Sequence, residues 1–390
     1  MFRLCKRRTG TMRALAGRIC MGAIESAART GTRVEIDAVS VDAYTIPTEE
    51  PESDGTLEWR ATTLIVVHVS AGGVRGFGYT YADRAAAVLI AGKLAPLLQR
   101  QDANDIPARY DDMARELRNV GVPGLGAMAM SAVDAALWDA KAKHFGVPLA
   151  TLLGRARQGI AAYGSGGFTS YGDDELCDQL GSWAESGMRF VKMKVGRDAQ
   201  ADARRVRAAA RAIGTTELFV DANGAYTRKQ ALAQADAFAA NGVTWFEEPV
   251  SSDDLDGLRL LRDRAPAGMA IAAGEYGSTL PYFQKLLGVV DVLQADATRC
   301  GGITGFLSVD ALCDAQGVPL SSHCAPSLHL PLMCAARRGT HLEYFHDHVR
   351  IESLLFDGFQ HPVDGLLRPS DRPGLGVEFK ARDAERFRCS

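Results

Sequence analysis

Phe190-Val191-Lys192-Met193-Lys194, Leu218-Phe219-Val220-Asp221 and Val243-Thr244-Trp245-Phe246-Glu247 share one design. Each is a short apolar run, too brief for a helix, that stops on a charged residue. The rhythm continues on both sides. Residues 161–165 precede these runs, and 270–275, 289–296, 318–323 and 341–343 follow them. Run ends recur every 20 to 29 residues, and alanine-rich segments of helical period, such as 199–213 and 229–241, fill several of the gaps. Strands alternating with helices at this spacing build parallel βα units. Eight of them predict an α/β fold, a (β/α)8 TIM-type barrel over residues 155–350. No internal sequence repeat accompanies the rhythm, so a solenoid is not indicated.

Upstream the pattern changes. Residues 34–41 alternate, and Thr62-Thr63-Leu64-Ile65-Val66-Val67-His68-Val69 is rich in β-branched residues. The acidic, proline-broken stretch from Pro47 to Gly55 between them reads as a loop. Helical periodicity then runs from about Arg84 to Leu153. Residues 34–154 are therefore expected to form an α+β capping domain. Residues 351–390 exceed what a barrel needs and are expected to return to that cap. Residues 1–33 carry eight Lys and Arg against the single acid Glu25. They have no continuous apolar core of the secretory type, and read as a basic disordered tail or a misplaced start.

Composition narrows the function classes. The chain has 390 residues, 47% hydrophobic and 23% charged, with 44 basic and 47 acidic side chains. A net charge of −3 calls for neither nucleic acid nor an anionic membrane as partner. No apolar run approaches a membrane span. The eight cysteines include no C-x-x-C pair, which fits free thiols in the cytoplasm better than disulfides or zinc.

In such a barrel the chemistry lies at the carboxyl ends of the strands. Lys192, Lys194, Asp221, Glu247, Glu275, Asp296, His323 and Glu343 all stand there. Any one could be a solvated rim residue; eight converging on one mouth call for a reason. Asp221, Glu247 and Glu275 end three consecutive strands. Strands about 4.8 Å apart bring such carboxylates within reach of one cation. Three oxygen donors suit a hard ion, Mg2+ first and Mn2+ second, whereas zinc would want His or Cys. The competing reading is a set of rim salt bridges. Without a cation the three would repel one another.

Lys192 and Lys194, two apart on a strand, face the same side. Two ammoniums so placed repel by up to about 4 kcal/mol at an effective dielectric near 20. That repulsion would bring one of them toward neutrality, where it can act as a base; the bland alternative is that carboxylates partner both. Asp296 and His323 end the sixth and seventh strands as a carboxylate–imidazole dyad, in which the acid orients the ring. Lysine and histidine would then flank the metal. Glu343, if protonated, could donate a hydrogen bond to a developing oxyanion.

In this order the constellation resembles the enolase superfamily and its mandelate racemase subgroup, over nearly the whole chain from Val34 onward. The stretch from Ala132 to Asp139, with Gly146-Val147-Pro148-Leu149 and Leu153-Gly154, is similar to that family's join between cap and barrel. The resemblance implies Mg2+ ligation by Asp221, Glu247 and Glu275, with Lys194 as base and Lys192 as its companion on the substrate carboxylate. It implies Asp296–His323 as the second proton-transfer unit, Glu343 as the electrophilic acid and Asn223 near a substrate hydroxyl. Arg299 departs from the lysine common in relatives. The muconate-cycloisomerase branch, which lacks the dyad, matches less well.

The implied chemistry is removal of the α-proton of a small carboxylate through an enediolate. Dehydration of a sugar acid to a 2-keto-3-deoxy acid is preferred, because the acidic 47–58 stretch and Tyr79-Thr80-Tyr81 offer polar groups, with Tyr79 and Tyr81 as substrate contacts. Racemisation of a 2-hydroxy acid is the alternative, and a catalytically inactive metal-binding barrel a third reading that the intact bases disfavour. The resemblance also implies a homo-oligomer. Gly124-Leu125-Gly126-Ala127-Met128-Ala129 mimics a dinucleotide fingerprint but lacks the preceding strand. His346 and His348 have a metal-like spacing but no third ligand, and read as a solvated loop.

Overall fold

The structure, a computed structural model, describes residues 33–389. The basic segment 1–33 therefore lies, Arg33 aside, outside the described residues.

Strands β1 (Ile36–Ser53), β2 (Glu58–Ala71) and β3 (Val74–Tyr81) form an antiparallel sheet in sequential order. Successive side chains of β2 leave on opposite faces. Ile65, Val67 and Val69 join a core with Ala129, Val133 and Leu137 of the helix Leu125–His144. Leu64 and Val66 join the barrel-side core with Phe77 and Tyr79. Both faces are covered, which is why β2 reads as an unbroken apolar run. The helix sits close on β3: a Cβ on Gly78 would lie 2.2 Å from the carbonyl oxygen of Ala132. Glycine on the strand opposite alanine on the helix permits this approach.

The stretch 47–55 is not a loop. β1 continues through Pro47 and Pro51 to Ser53, and its ladder with β2 lapses between Pro47 and Glu52, besides a shift at its start between Ile36 and Ala38. Proline lacks a donor, but β1 is an edge strand and the prolines fall at the irregularity, where none is required. The chain reverses at Asp54, whose Oδ1 accepts from the backbone N–H groups of Thr56 at 2.6 Å and Leu57 at 2.7 Å. This hairpin tip inserts into the barrel mouth. A Cβ on Gly55 would meet the carbonyl oxygens of Ala222 and Val195 at 2.6 and 2.7 Å.

The second half is a (β/α)8 barrel of β4 (Ile160–Gly166), β5 (Phe190–Lys194), β6 (Glu217–Asp221), β7 (Val243–Glu247), β8 (Ala270–Ala273), β9 (Val292–Ala295), β10 (Leu320–Ser322) and β11 (His341–Phe345). Neighbours pair in parallel from β4 through β10, and β11 pairs with β4. Hydrogen bonds from Leu320 N to Arg338 O and from Thr340 N to Leu320 O, both 2.9 Å, close the ring. After Leu355 the chain returns to the cap. Phe356 stacks edge-on against Phe77 and Tyr79, and Cys389 N donates to Ala43 O at 2.8 Å. No described helix is long and apolar enough to cross a membrane.

The barrel floor is aromatic. Tyr163, Phe219 and Trp245 pack together there, and the His341 ring lies 5.2–5.6 Å from these rings and that of Phe190. Burial, reinforced by Lys192, lowers the pKa of His341 to about 4. Between that value and about 6.5 the unfolded chain binds a proton that the folded chain refuses, so folded stability falls as pH drops through this window. The loss is on the order of 3 kcal/mol. His341→Phe should therefore flatten the decline of Tm between pH 7 and pH 4; identical slopes for both proteins would exclude this role.

Candidate active site

Parallel register sets the charged strand ends level with one another. Lys194 pairs with Asp221, Asp221 with Glu247, and Glu275 follows the end of β8 by two residues. Carboxylate oxygens of Asp221, Glu247 and Glu275 lie within 4.8 Å of one another, and all three residues are buried. Lys192 Nζ donates to Glu247 Oε2 at 2.7 Å and pairs with Glu343 Oε1 at 2.7 Å. Lys194 Nζ donates to Asp221 Oδ2 at 2.5 Å and to Asn223 Oδ1 at 3.1 Å.

These contacts correct the electrostatic expectation for the lysines. Burial alone would lower both, but Glu247 and Glu343 around Lys192, and Asp221 beside Lys194, outweigh it and raise both above the usual range. Repulsion between the two ammoniums is the smaller effect because each has a carboxylate closer than its neighbour. Glu343 is corrected likewise. Burial would favour its protonated form, yet Lys192, then His323 and Lys194, hold it below the usual carboxylate range. It is an ion-pair acceptor here, not a protonated donor.

Carboxylates nonetheless outnumber ammoniums at the mouth. Burial, then Asp221, push the Glu247 carboxyl up to about 8 despite Lys192. Burial and the neighbouring Glu275 raise Glu248, whose Oε1 has no hydrogen-bond partner among the described residues. A buried, oxygen-only triplet with surplus negative charge fits a hard dication.

Asp296 and His323 stand immediately beyond β9 and β10. His323 Nδ1 is 2.9 Å from Asp296 Oδ2, and its Nε2 is 3.2 Å from Glu275 Oε2. Asp296 Oδ1 accepts from Thr298 N and Oγ1, both at 2.7 Å. Against the effect of burial, the hydrogen bond and charge of His323, then Arg299, hold Asp296 well below the carboxylate range. The ring is thus fixed with Nδ1 on the acid and Nε2 toward the cavity. Arg299 connects the two halves of the site, with Nε 3.4 Å from Asp296 Oδ2 and Nη1 3.7 Å from Glu275 Oε1.

A cavity of about 570 Å3 opens above these groups. Lys194, Asn223, Glu275, Arg299, His323, Cys324 and Glu343 line it from the barrel; Asp54, Trp59, Thr62, Tyr81 and Asp83 line it from the cap. Six non-glycine residues among those described hold a positive φ. Four of them, Asn223 (45°), Glu248 (37°), Cys324 (52°) and Ala325 (40°), ring this mouth. Such conformations cost about 1–3 kcal/mol each and persist where a site needs them.

The tyrosines part company. Tyr79 is fully buried between cap and barrel, donating to Glu352 Oε1 at 2.8 Å and accepting from Leu328 N at 3.0 Å. It does not reach the cavity, so the expected substrate contact is corrected to a join between cap and barrel. Tyr81 does line the cavity, but its hydroxyl is 3.2 Å from Glu352 Oε1 and its ring stacks on His348 at 3.5 Å. His348 corrects a second expectation. It lies in the helix His346–Leu355, buried, accepting from Ala325 N at 3.2 Å, and faces the cavity. Sequence reasoning had no signal for Trp59, Cys324 or His348 as cavity residues. Arg299 was visible only as a departure from a pattern.

The family comparisons agree with this geometry. Residues 43–154 match the mandelate racemase/muconate lactonizing enzyme N-terminal domain, and residues 175–384 match the enolase C-terminal domain-like family. The chain belongs to the enolase superfamily, in its mandelate racemase subgroup. As a member of that superfamily it is an enzyme. An L-talarate/galactarate dehydratase of Salmonella typhimurium is 33% identical over 366 residues, 90% of each chain. A mandelate racemase/muconate lactonizing enzyme-like protein from Rubrobacter xylanophilus superimposes with a TM-score of 0.90 at 54% identity, covering 91% of this chain and 100% of its own. The Salmonella dehydratase liganded with Mg and L-lyxarohydroxamate superimposes with a TM-score of 0.85 at 30% identity, covering 92% and 94%.

Proposed function

We propose that this enolase-superfamily enzyme dehydrates a sugar acid to a 2-keto-3-deoxy acid, using Mg2+ held by Asp221, Glu247 and Glu275. The observation that carries the reading is one cavity with two proton-transfer groups beside a carboxylate triplet. Lys194 comes from β5 and His323 from the end of β10, three strands away by the shorter way round the barrel. When bound, Mg2+ supplies Lewis-acid stabilisation of the charge that develops on the substrate carboxylate.

The chain's own residues do the rest. Lys194 takes the α-proton. The carboxylates that now hold it protonated are those a dication would neutralise, leaving Lys192 as its main charged neighbour. His323, kept in one orientation by Asp296, delivers a proton from Nε2 to the departing β-hydroxyl. Lys192, buried and outside the cavity lining, holds Glu247 and Glu343 in place, which corrects its expected contact with a substrate carboxylate. Asn223, hydrogen-bonded to Lys194, and Tyr81 shape the polar wall. The relationship to a named sugar-acid dehydratase supports this choice of leaving group.

Incubation of the Mg2+-loaded enzyme with a library of aldonic and aldaric acids in D2O tests it. A 2-keto-3-deoxy product is expected. Deuterium in recovered substrate without that product would replace the reading by racemisation or epimerisation, and neither outcome across the library would overturn both.

A further inference from the structure

The geometry points to a second cation site on this mouth, formed by His323 Nε2, Cys324 Sγ and a Glu343 carboxylate oxygen, which takes a thiophilic dication such as Zn2+. These three donors lie within 4.8 Å of one another and all three residues are buried at the base of the cavity. His323 Nε2 and Cys324 Sγ are 3.3 Å apart. Bonds of about 2.0 Å to nitrogen and 2.3 Å to sulfur in a tetrahedron place these two donors about 3.5 Å apart, so this edge is within about 0.2 Å of the required length.

Three further features favour a site over an accident of packing. Asp296 on His323 Nδ1 makes the carboxylate–histidine arrangement that directs the other nitrogen at a metal. Cys324 and Ala325 both hold left-handed φ angles, and this turn sets the thiol beside the preceding imidazole. Glu343 Oε2 accepts from the backbone N–H of Cys324 at 2.8 Å, which ties the third donor to the second. The cavity leaves an open side for a fourth ligand.

Donor chemistry sorts the two positions. Oxygen-only Asp221, Glu247 and Glu275 select a hard ion, whereas imidazole with thiolate selects a softer one and releases the thiol proton on binding. A cation here occupies His323 Nε2 and stops proton transfer at that atom. This inhibitory consequence rests on the proposed reaction; the binding does not.

The test titrates the Mg2+-loaded protein with Co2+. A thiolate-to-cobalt charge-transfer band saturating at one equivalent is expected. It should persist in Glu247→Gln, vanish in Cys324→Ala and need at least tenfold more Co2+ in His323→Asn. On the unsubstituted chain, mass-spectrometric mapping should find Cys324 alkylated at least tenfold more slowly with Zn2+ than with Mg2+ alone. This measurement stands even if a variant fails to fold. Absence of the band, a band unchanged in Cys324→Ala, or equal alkylation rates would overturn the site. A band without inhibition would uphold the site and count against proton transfer at His323.

Discussion

Lys194→Ala is expected to lower kcat/KM for the sugar-acid substrate by roughly 10^3- to 10^4-fold while leaving the fold and Mg2+ binding intact. A positioned base contributes about 10^2- to 10^4-fold, and each tenfold loss corresponds to about 1.4 kcal/mol of barrier. The upper part of the range applies because Lys194 is the one ammonium among the described residues lining the cavity; Lys192 is committed to Glu247 and Glu343. Folding should be checked on the Mg2+-loaded protein, because the fully buried Asp221 loses its closest cation and keeps Lys192 Nζ at 3.9 Å. Arginine should not rescue, because a guanidinium does not give up its proton. His323→Asn should lose activity on a similar scale, and the pair discriminates roles. Exchange of the α-proton with solvent should disappear in Lys194→Ala and survive in His323→Asn if lysine is the base and histidine the acid. Activity within tenfold of the parent in Lys194→Ala would remove it from the mechanism.

Glu247→Gln should weaken Mg2+ binding by at least about 100-fold. Groups that merely orient a metal ligand typically cost about 10–100-fold when removed, and a direct ligand should cost more. Two further effects act in the same direction. Glutamine offers a single neutral oxygen to the cation. It also removes the carboxylate that accepts from Lys192 Nζ and, at 3.0 Å, from Trp245 Nε1, leaving an under-compensated ammonium beside the incoming dication. Calorimetric titration of the metal-free protein measures the change directly. Activity after chelation should vanish and return with Mg2+ or Mn2+. An unchanged Mg2+ affinity in the variant would refute the ligand assignment.

Particular residues show where sequence reasoning reached and where it stopped. The strand ends were legible because a barrel strand is short, apolar and closed by a charge, and β5 and β7 match the expected runs to the residue. Pro47 misled because proline marks a loop only where its missing donor matters, and on an edge strand at a ladder lapse it does not. Tyr79 misled because the polar stretch Tyr79-Thr80-Tyr81 looks suited to a substrate wall; the Tyr79 hydroxyl instead meets Glu352, 273 residues away. His348 was set aside for want of a third ligand, yet the cap brings Tyr81 against its ring.

By itself the sequence determined the barrel, the order of charges around its mouth and the three consecutive carboxylates proposed to hold the cation. These follow from period-two strands repeated at regular intervals, which are local properties of the chain. Only the tertiary structure decided the ionisation of Lys192, Lys194 and Glu343, the thiol beside His323, and the cap side chains that wall the cavity. The ionisation depends on distances of 2.5–2.7 Å between residues on different strands, and the thiol's place on a left-handed turn at Cys324; electrostatic energy varies over ångströms that spacing along a chain does not encode.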